Sequence, residues 1–177
     1  DNDGLQDLYI ANGHLHENLS GLGQKGTYPQ PDLIFKNNGN SSFTEITDRL
    51  GDAYFPTVSR GAAWADYDLD GDVDMIVTNS NGRPRLLRND GGNDNHWISF
   101  SVAGISIGTR ITVQTGNILQ TKEVGNQSGY LSQSEKHLHF GIGSAKQVDL
   151  ITVRHPNGKM QQLSQVKTNQ ILQVWGN

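Results

Sequence analysis

Cysteine is absent from the 177 residues, which excludes disulfides, thiolate metal sites and cysteine nucleophiles. That absence leaves the compartment open. Hydrophobic residues are scarce at 34%, and no run approaches the roughly 18 apolar residues of a membrane span. No stretch carries a helical stripe of apolar positions. The chain opens on "DNDG" with neither an initiator methionine nor a signal peptide. It reads as a processed or truncated piece, with which a removed signal is compatible. Basic runs are missing too. Arg110, Lys122, Lys136, Lys146, Arg154, Lys159 and Lys167 are scattered among expected strands, so nucleic-acid binding has no footprint.

What the chain does have is glycine, 21 residues of it, and frequent asparagine. That mix suits short strands joined by many turns. The net charge of −4 hides an asymmetry: residues 1–95 carry 15 acids and 7 bases, residues 96–177 carry 3 acids and 7 bases. Opposite balances predict two domains, 1–95 and 96–177, divided in "NDGGNDN" at 89–95, with the acidic one suited to cations.

The acids concentrate in "DYDLDGDVD", residues 66–74, where five fall within nine positions. The nearest bases are Arg60 upstream and Arg83 downstream. Asp66, Asp68 and Asp70 stand at positions 1, 3 and 5 of a cation loop, Gly71 at the sharp turn of position 6, the carbonyl of Asp72 at 7 and Asp74 at 9. Alternating side chains of a tight loop converge on one point, and hard oxygens at about 2.3–2.6 Å are what calcium takes. An EF-hand is excluded, since position 12 is Val77 and the strand "MIVT" follows where a helix would be needed. A solvated acidic turn is the plainer alternative. Acid catalysis is disfavoured because a short polar loop has no apolar pocket to raise a carboxylate pKa.

The first residues repeat this pattern. Asp1, Asp3, Gly4 and Asp7 of "DNDGLQD" match Asp68, Asp70, Gly71 and Asp74 at an offset of 67 residues, and the apolar strands "LYIANG" and "MIVTNSNG" follow. "DLIFKNNG" (32–39) likewise resembles "RLLRNDGG" (85–92). Such self-similarity marks propellers and solenoids, whose units bury their faces only against neighbours. In the first copy Asp1, Asp3, the carbonyl of Leu5 and Asp7 are the candidate metal ligands. A Gly- and Pro-rich spacer (14–31) is expected to be a surface loop, "SFTEIT" another strand, and "RGAAWADYD" a strand entering the second acidic loop. From Trp97 on, short β-type runs ending in Gly or Asn indicate a sandwich or small barrel.

These stretches have a family likeness. "DYDLDGDVDMIVTN" and "DNDGLQDLYIANGH" resemble FG-GAP/VCBS repeats, and "IGTRITVQTG", "SGYLSQSEKHLHFGIG" and "VDLITVRHPNGKMQQL" resemble the ASPIC/UnbV domain of cartilage acidic protein-like proteins. The resemblance implies an all-β fold of partial β-propeller blades followed by a small antiparallel β-sandwich. It also implies Ca2+ as the bound cation and an extracellular or cell-surface setting, and it carries no catalytic activity. His155 stands where the family usually has Trp.

Other candidates read as structural. His14 and His16 lie in the spacer, and His137 and His139 alternate in "KHLHF", where a structural pair is favoured over a metal site. Ser128, Ser132 and Ser134 lack the G-x-S-x-G elbow of a hydrolase. Trp64, Trp97 and Trp175 read as core residues rather than sugar platforms, and Tyr130 as a surface aromatic. Asn18, Asn40 and Asn126 each begin an Asn-x-Ser sequence. The expected function is a calcium-binding, non-enzymatic extracellular adhesion or scaffold module with a protein or glycan ligand. The alternatives are a subunit of an oligomer or filament that self-associates through open sheet edges, and an accessory region of a secreted polysaccharide-active enzyme.

Overall fold

The computed structural model describes residues 1–91, 94–104, 107–125 and 128–176. Strand follows strand along these residues, with two short 3₁₀ segments, Ser20–Leu22 and Thr47–Ala53, between them. In chain order the strands are β1 (Leu8–Ile10), β2 (Leu33–Asn37), β3 (Phe43–Glu45), β4 (Ser59–Ala65), β5 (Asp74–Asn79), β6 (Arg85–Leu87) and β7 (His96–Gly104). They continue as β8 (Arg110–Thr115), β9 (Ile118–Glu123), β10 (Ser128–Gly129), β11 (Ser132–Gln133), β12 (Leu138–Gly143), β13 (Gln147–Arg154), β14 (Met160–Lys167) and β15 (Gln170–Gly176). The architecture is all-β and built of small sheets, as the residue pattern predicts.

Two three-stranded antiparallel sheets, β1-β2-β3 and β4-β5-β6, carry the repeat. Their equivalence is conformational as well as sequential. Asn2 and Leu69 are both left-handed, at φ 57° and 62°, and Gly4 and Gly71 follow at 89° and 94°. The amide of Leu5 donates to Asp3 Oδ1 and that of Asp72 to Asp70 Oδ1, both at 2.8 Å. The amide of Asn37 donates to Asp7 Oδ1 and that of Asn89 to Asp74 Oδ1, again both at 2.8 Å. One acidic residue thus ties each loop to the strand that returns beside it.

These sheets have little apolar core. Among the described residues before 96, the buried hydrophobic side chains are Leu19, Val58 and Val77. A polar knot stands in the gap: Asp32, 2% exposed, accepts from Tyr9 Oη, the Asn12 amide and Ser59 Oγ, and forms an ion pair with Arg85. A buried charge persists only when paired and hydrogen-bonded, and these partners join the first repeat to the second.

The main core lies further on. Sheet β12-β7-β15 faces sheet β14-β13-β8-β9, and Ile98, Phe100, Ile111, Val113, Leu138, Phe140, Ile151, Val153 and others pack between them. Alternation in "LHFGIG" sends Leu138, Phe140 and Ile142 inward, and the Phe100 and Phe140 rings meet edge to face at 5.6 Å. One pair departs from the expected antiparallel order, for β15 runs parallel to β7.

Other expectations need correction. β14 and the β10–β11 hairpin escape a pattern reading, because β14 is an edge strand exposed at nearly every position and so shows no apolar alternation. Trp64 and Trp175 are 40% and 60% exposed, not core. Tyr130, at 69%, is on the surface as expected. The spacer of residues 14–31 is a loop with one 3₁₀ turn, in which the His16 amide donates to His14 Nδ1. Asn18 and Asn40 are exposed, and Asn126 lies outside the described residues.

Candidate metal centre at the junction of the two halves

The loop between β4 and β5 brings Asp66, Asp68 and Asp74 together, with one carboxylate oxygen of each within 4.8 Å of the others. Local chemistry explains the convergence. Asp66 Oδ1 accepts the amide of Asp70 at 3.1 Å and Oδ2 that of Gly71 at 3.0 Å, so the loop winds about its first carboxylate. Asp74 Oδ2 accepts the Tyr67 amide at 3.2 Å, closing the loop from its far end. Each carboxylate oxygen has two lone pairs, so these bonds orient the acids while leaving acceptor capacity turned toward one another. Asp66 and Asp74 are buried, at 8% and 2%, while Asp68 is exposed.

Asp70 and Asp72 are placed differently. Asp70 turns its Oδ1 to the Asp72 amide, and the Asp72 side chain accepts from Asn2 Nδ2 at 3.0 Å. In the first loop, Asp1 and Asp3 both pair with the Lys36 ammonium, and Asp7 is held by the Asn37 amide. Leu5 donates its amide to Asp3. The acids that align by sequence therefore sit in like backbones but unlike electrostatic settings: a lysine neutralises the first loop, and among the described residues no base pairs with Asp66, Asp68 or Asp74.

Residues that the sequence reading passed over complete the surroundings. Glu135, from the segment after β11, accepts the Asp66 amide at 3.3 Å through Oε1 and meets His137 through Oε2 at 3.4 Å. Its own amide donates to the carbonyl of Trp64, whose amide donates to Ser134 Oγ. Residues 134–135 thus run along the outer edge of β4. Burial pushes the Asp66 and Glu135 carboxyls above their ordinary range; the charge of Asp70 adds to the rise at Asp66, and those of Asp66 and Asp74 add to it at Glu135. Neither Ser132 nor Ser134 is hydrogen-bonded to a histidine ring.

Asn2 is the second link between the halves. Its Nδ2 donates to the Gly71 carbonyl at 2.9 Å and to Asp72, so its Oδ1 is the acceptor that lies 2.7 Å from His139 Nε2 and puts the imidazole proton there. The Gly143 amide donates to the Asn2 carbonyl, and a Cβ at Gly141 would strike the Asn2 backbone at 2.6 Å. Trp97 closes the far side. Its ring stacks on His139 with centroids 5.7 Å apart, and a Cβ on Gly71 would land in the indole. Gly71 thus serves a positive φ and a close approach at once.

The donor set is entirely oxygen, anionic and crowded, which suits a hard divalent cation. A carboxylate pushed toward its neutral form by burial gains most when such a cation arrives. Residues 1–77 match the family model for the FG-GAP-like repeat, and residues 104–175 match that for ASPIC and UnbV. Cartilage acidic protein 1 of Xenopus tropicalis is 38% identical over 57 residues, a stretch that makes up 32% of this chain and 9% of that protein.

Proposed function

We propose, from the matches of residues 1–77 to the FG-GAP-like repeat and of residues 104–175 to ASPIC and UnbV, a calcium-binding, non-enzymatic extracellular module that serves adhesion or scaffolding. The observation that carries the reading is the convergence of Asp66, Asp68 and Asp74 where the second repeat meets Glu135 of the C-terminal half. Calcium at these carboxylates, with Asp70 and the Asp72 carbonyl as further oxygens, neutralises three acids with which no lysine pairs among the described residues. Its contribution is structural. A cation that binds the folded form alone adds about 4 kcal/mol at a thousandfold excess over its dissociation constant, a large share for a region with so thin an apolar core. In the first loop, Asp1, Asp3, the Leu5 carbonyl and Asp7 form a weaker site in which calcium competes with Lys36.

Thermal unfolding in chelator, calcium and magnesium tests this. Calcium raises the melting temperature well beyond magnesium, and the gain disappears in Asp66→Asn and Asp68→Asn. A melting temperature indifferent to chelator sinks the proposal.

One observation favours a second reading. β1 ends the order β1-β2-β3 with an unpaired edge, at the position that β4 occupies beside β5 in the other repeat. Unpaired edges recruit strands, and in an assembly a neighbouring copy would supply one. Light scattering across concentration separates the two readings, since a monomer throughout removes the second.

A further inference from the structure

The sheet β14-β13-β8-β9 turns one face to the core and the other outward. At one end of the outward face Arg154 stands opposite Arg110, and Arg110 stands opposite Glu123. Like charges directly opposed across strands repel. One of the two guanidinium groups has a counter-charge, because Arg110 Nε donates to Glu123 Oε2 at 2.6 Å. The Arg154 side chain has no ion pair or hydrogen bond among the described residues.

Both arginines line an open cleft of about 280 Å³ with Glu123, Gly108, His155 and Pro156. His155 is 2% exposed, and neither of its ring nitrogens has a hydrogen-bond partner. Buried polar atoms in folded proteins are almost always partnered. Both His155 nitrogens are sealed from solvent, so the groups open to a ligand in the cleft are the two guanidinium groups, one paired and one unpaired. The group that answers both is an oxyanion, which accepts from the planar guanidinium forks.

The surface beside the cleft narrows the ligand further. In the next row of the same face Thr152 is opposite Thr112 and Thr112 opposite Thr121, their last two hydroxyls 2.9 Å apart, while Gln162 donates to Thr152. Hydroxyls and an amide, with no apolar side chain in that row, match the hydroxyls of a sugar better than a peptide side chain.

We propose that this cleft binds an acidic polysaccharide, seating a carboxylate or sulfate group on Arg110 and Arg154 and neighbouring sugar hydroxyls on the threonine row. The choice of an extracellular polymer rests on the proposed extracellular role, but the acidic loop takes no part in the contact.

The test is titration of the whole chain with three probes: oligogalacturonate as the carboxylate source, a dextran sulfate fragment as the sulfate source, and neutral dextran. At least one acidic probe binds and neutral dextran does not, and the relative affinities of the two acidic probes tell the anion sources apart. Arg110→Gln and Arg154→Gln each weaken binding at least tenfold, while Arg83→Gln leaves it unchanged. Affinity is the same in chelator and in calcium, so failure of the calcium reading leaves this result standing. The proposal is overturned if neither acidic probe binds at millimolar concentration or if neutral dextran binds equally well. It is likewise overturned if both arginine variants retain the parent affinity.

Discussion

Glu135 accepts the backbone amide of Asp66 at 3.3 Å, across 69 positions of sequence. The acidic loop is thereby read by a carboxylate from the other half of the chain, and any cation held by Asp66 feels that charge. Glu135→Gln keeps an acceptor for the amide and removes the charge. Calcium affinity then falls three- to tenfold, about 1 kcal/mol for an added charge at close range in a partly screened site. Calorimetric titration measures it, and unchanged affinity breaks the link between the two halves.

Gly71 combines a φ of 94° with an indole where its Cβ would be. Gly71→Ala therefore destabilises by at least about 2 kcal/mol and alters the near-ultraviolet dichroism that reports on Trp97. A variant that melts with the parent shows that the indole does not abut the loop.

Asp32 gathers Tyr9, Asn12, Ser59 and Arg85 in a region almost without apolar core. Truncating one partner of a buried pair leaves the other charge unmet, at about 3–5 kcal/mol. Asp32→Ala lowers the melting temperature by about 10 °C at the few degrees per kcal/mol expected for this size. Arg88→Ala, which loses an exposed pairing with Asp90, leaves it unchanged. Comparable losses in the two variants refute the claim that burial sets the difference.

His139 titrates near 4, lowered by burial first and by the Lys122 charge second. Its unfolded value is about 6.5. Between those values the unfolded chain binds the extra proton, so stability present above pH 6.5 declines as pH falls toward 4, by on the order of 3 kcal/mol. The raised Asp66 and Glu135 carboxyls work in the opposite sense, since there the folded state takes up the proton first. Subtracting the stability curve of His139→Phe isolates the histidine contribution. If the two curves run parallel between pH 4 and 6.5, the ring is not buried neutral.

The second acidic loop is legible because aspartates at alternate positions about a glycine leave a tight turn few ways to point. Asp66, Asp68 and Asp74 each bring a carboxylate oxygen within 4.8 Å of the others, while Asp70 is not in that group. The strands of the main core are legible for a similar local reason, since Leu138, Phe140 and Ile142 alternate in plain view. Asp32 is not, because nothing in "QPDLIF" marks it, and its partners arrive from β1, β4 and β6 only after folding. Glu135 and Asn2 share that difficulty: their roles exist at a junction between distant segments. Trp64 and Trp175 mislead because hydrophobicity shows that a side chain favours cover, whereas the packing of neighbouring sheets decides whether cover arrives.

The parallel pairing of β15 with β7 has a mechanical consequence. The repeats enter the sandwich at the start of β7, and β15 leaves it at the opposite end of the same ladder, through seven matched positions from Ile98 beside Gln170 to Gly104 beside Gly176. Tension between the repeats and the C-terminus pulls these two strands past one another along their length. Every hydrogen bond of the ladder is then sheared together, whereas a hairpin pulled at its open end yields them one by one. The first and last strands of the sandwich thus act as its clamp against stretching.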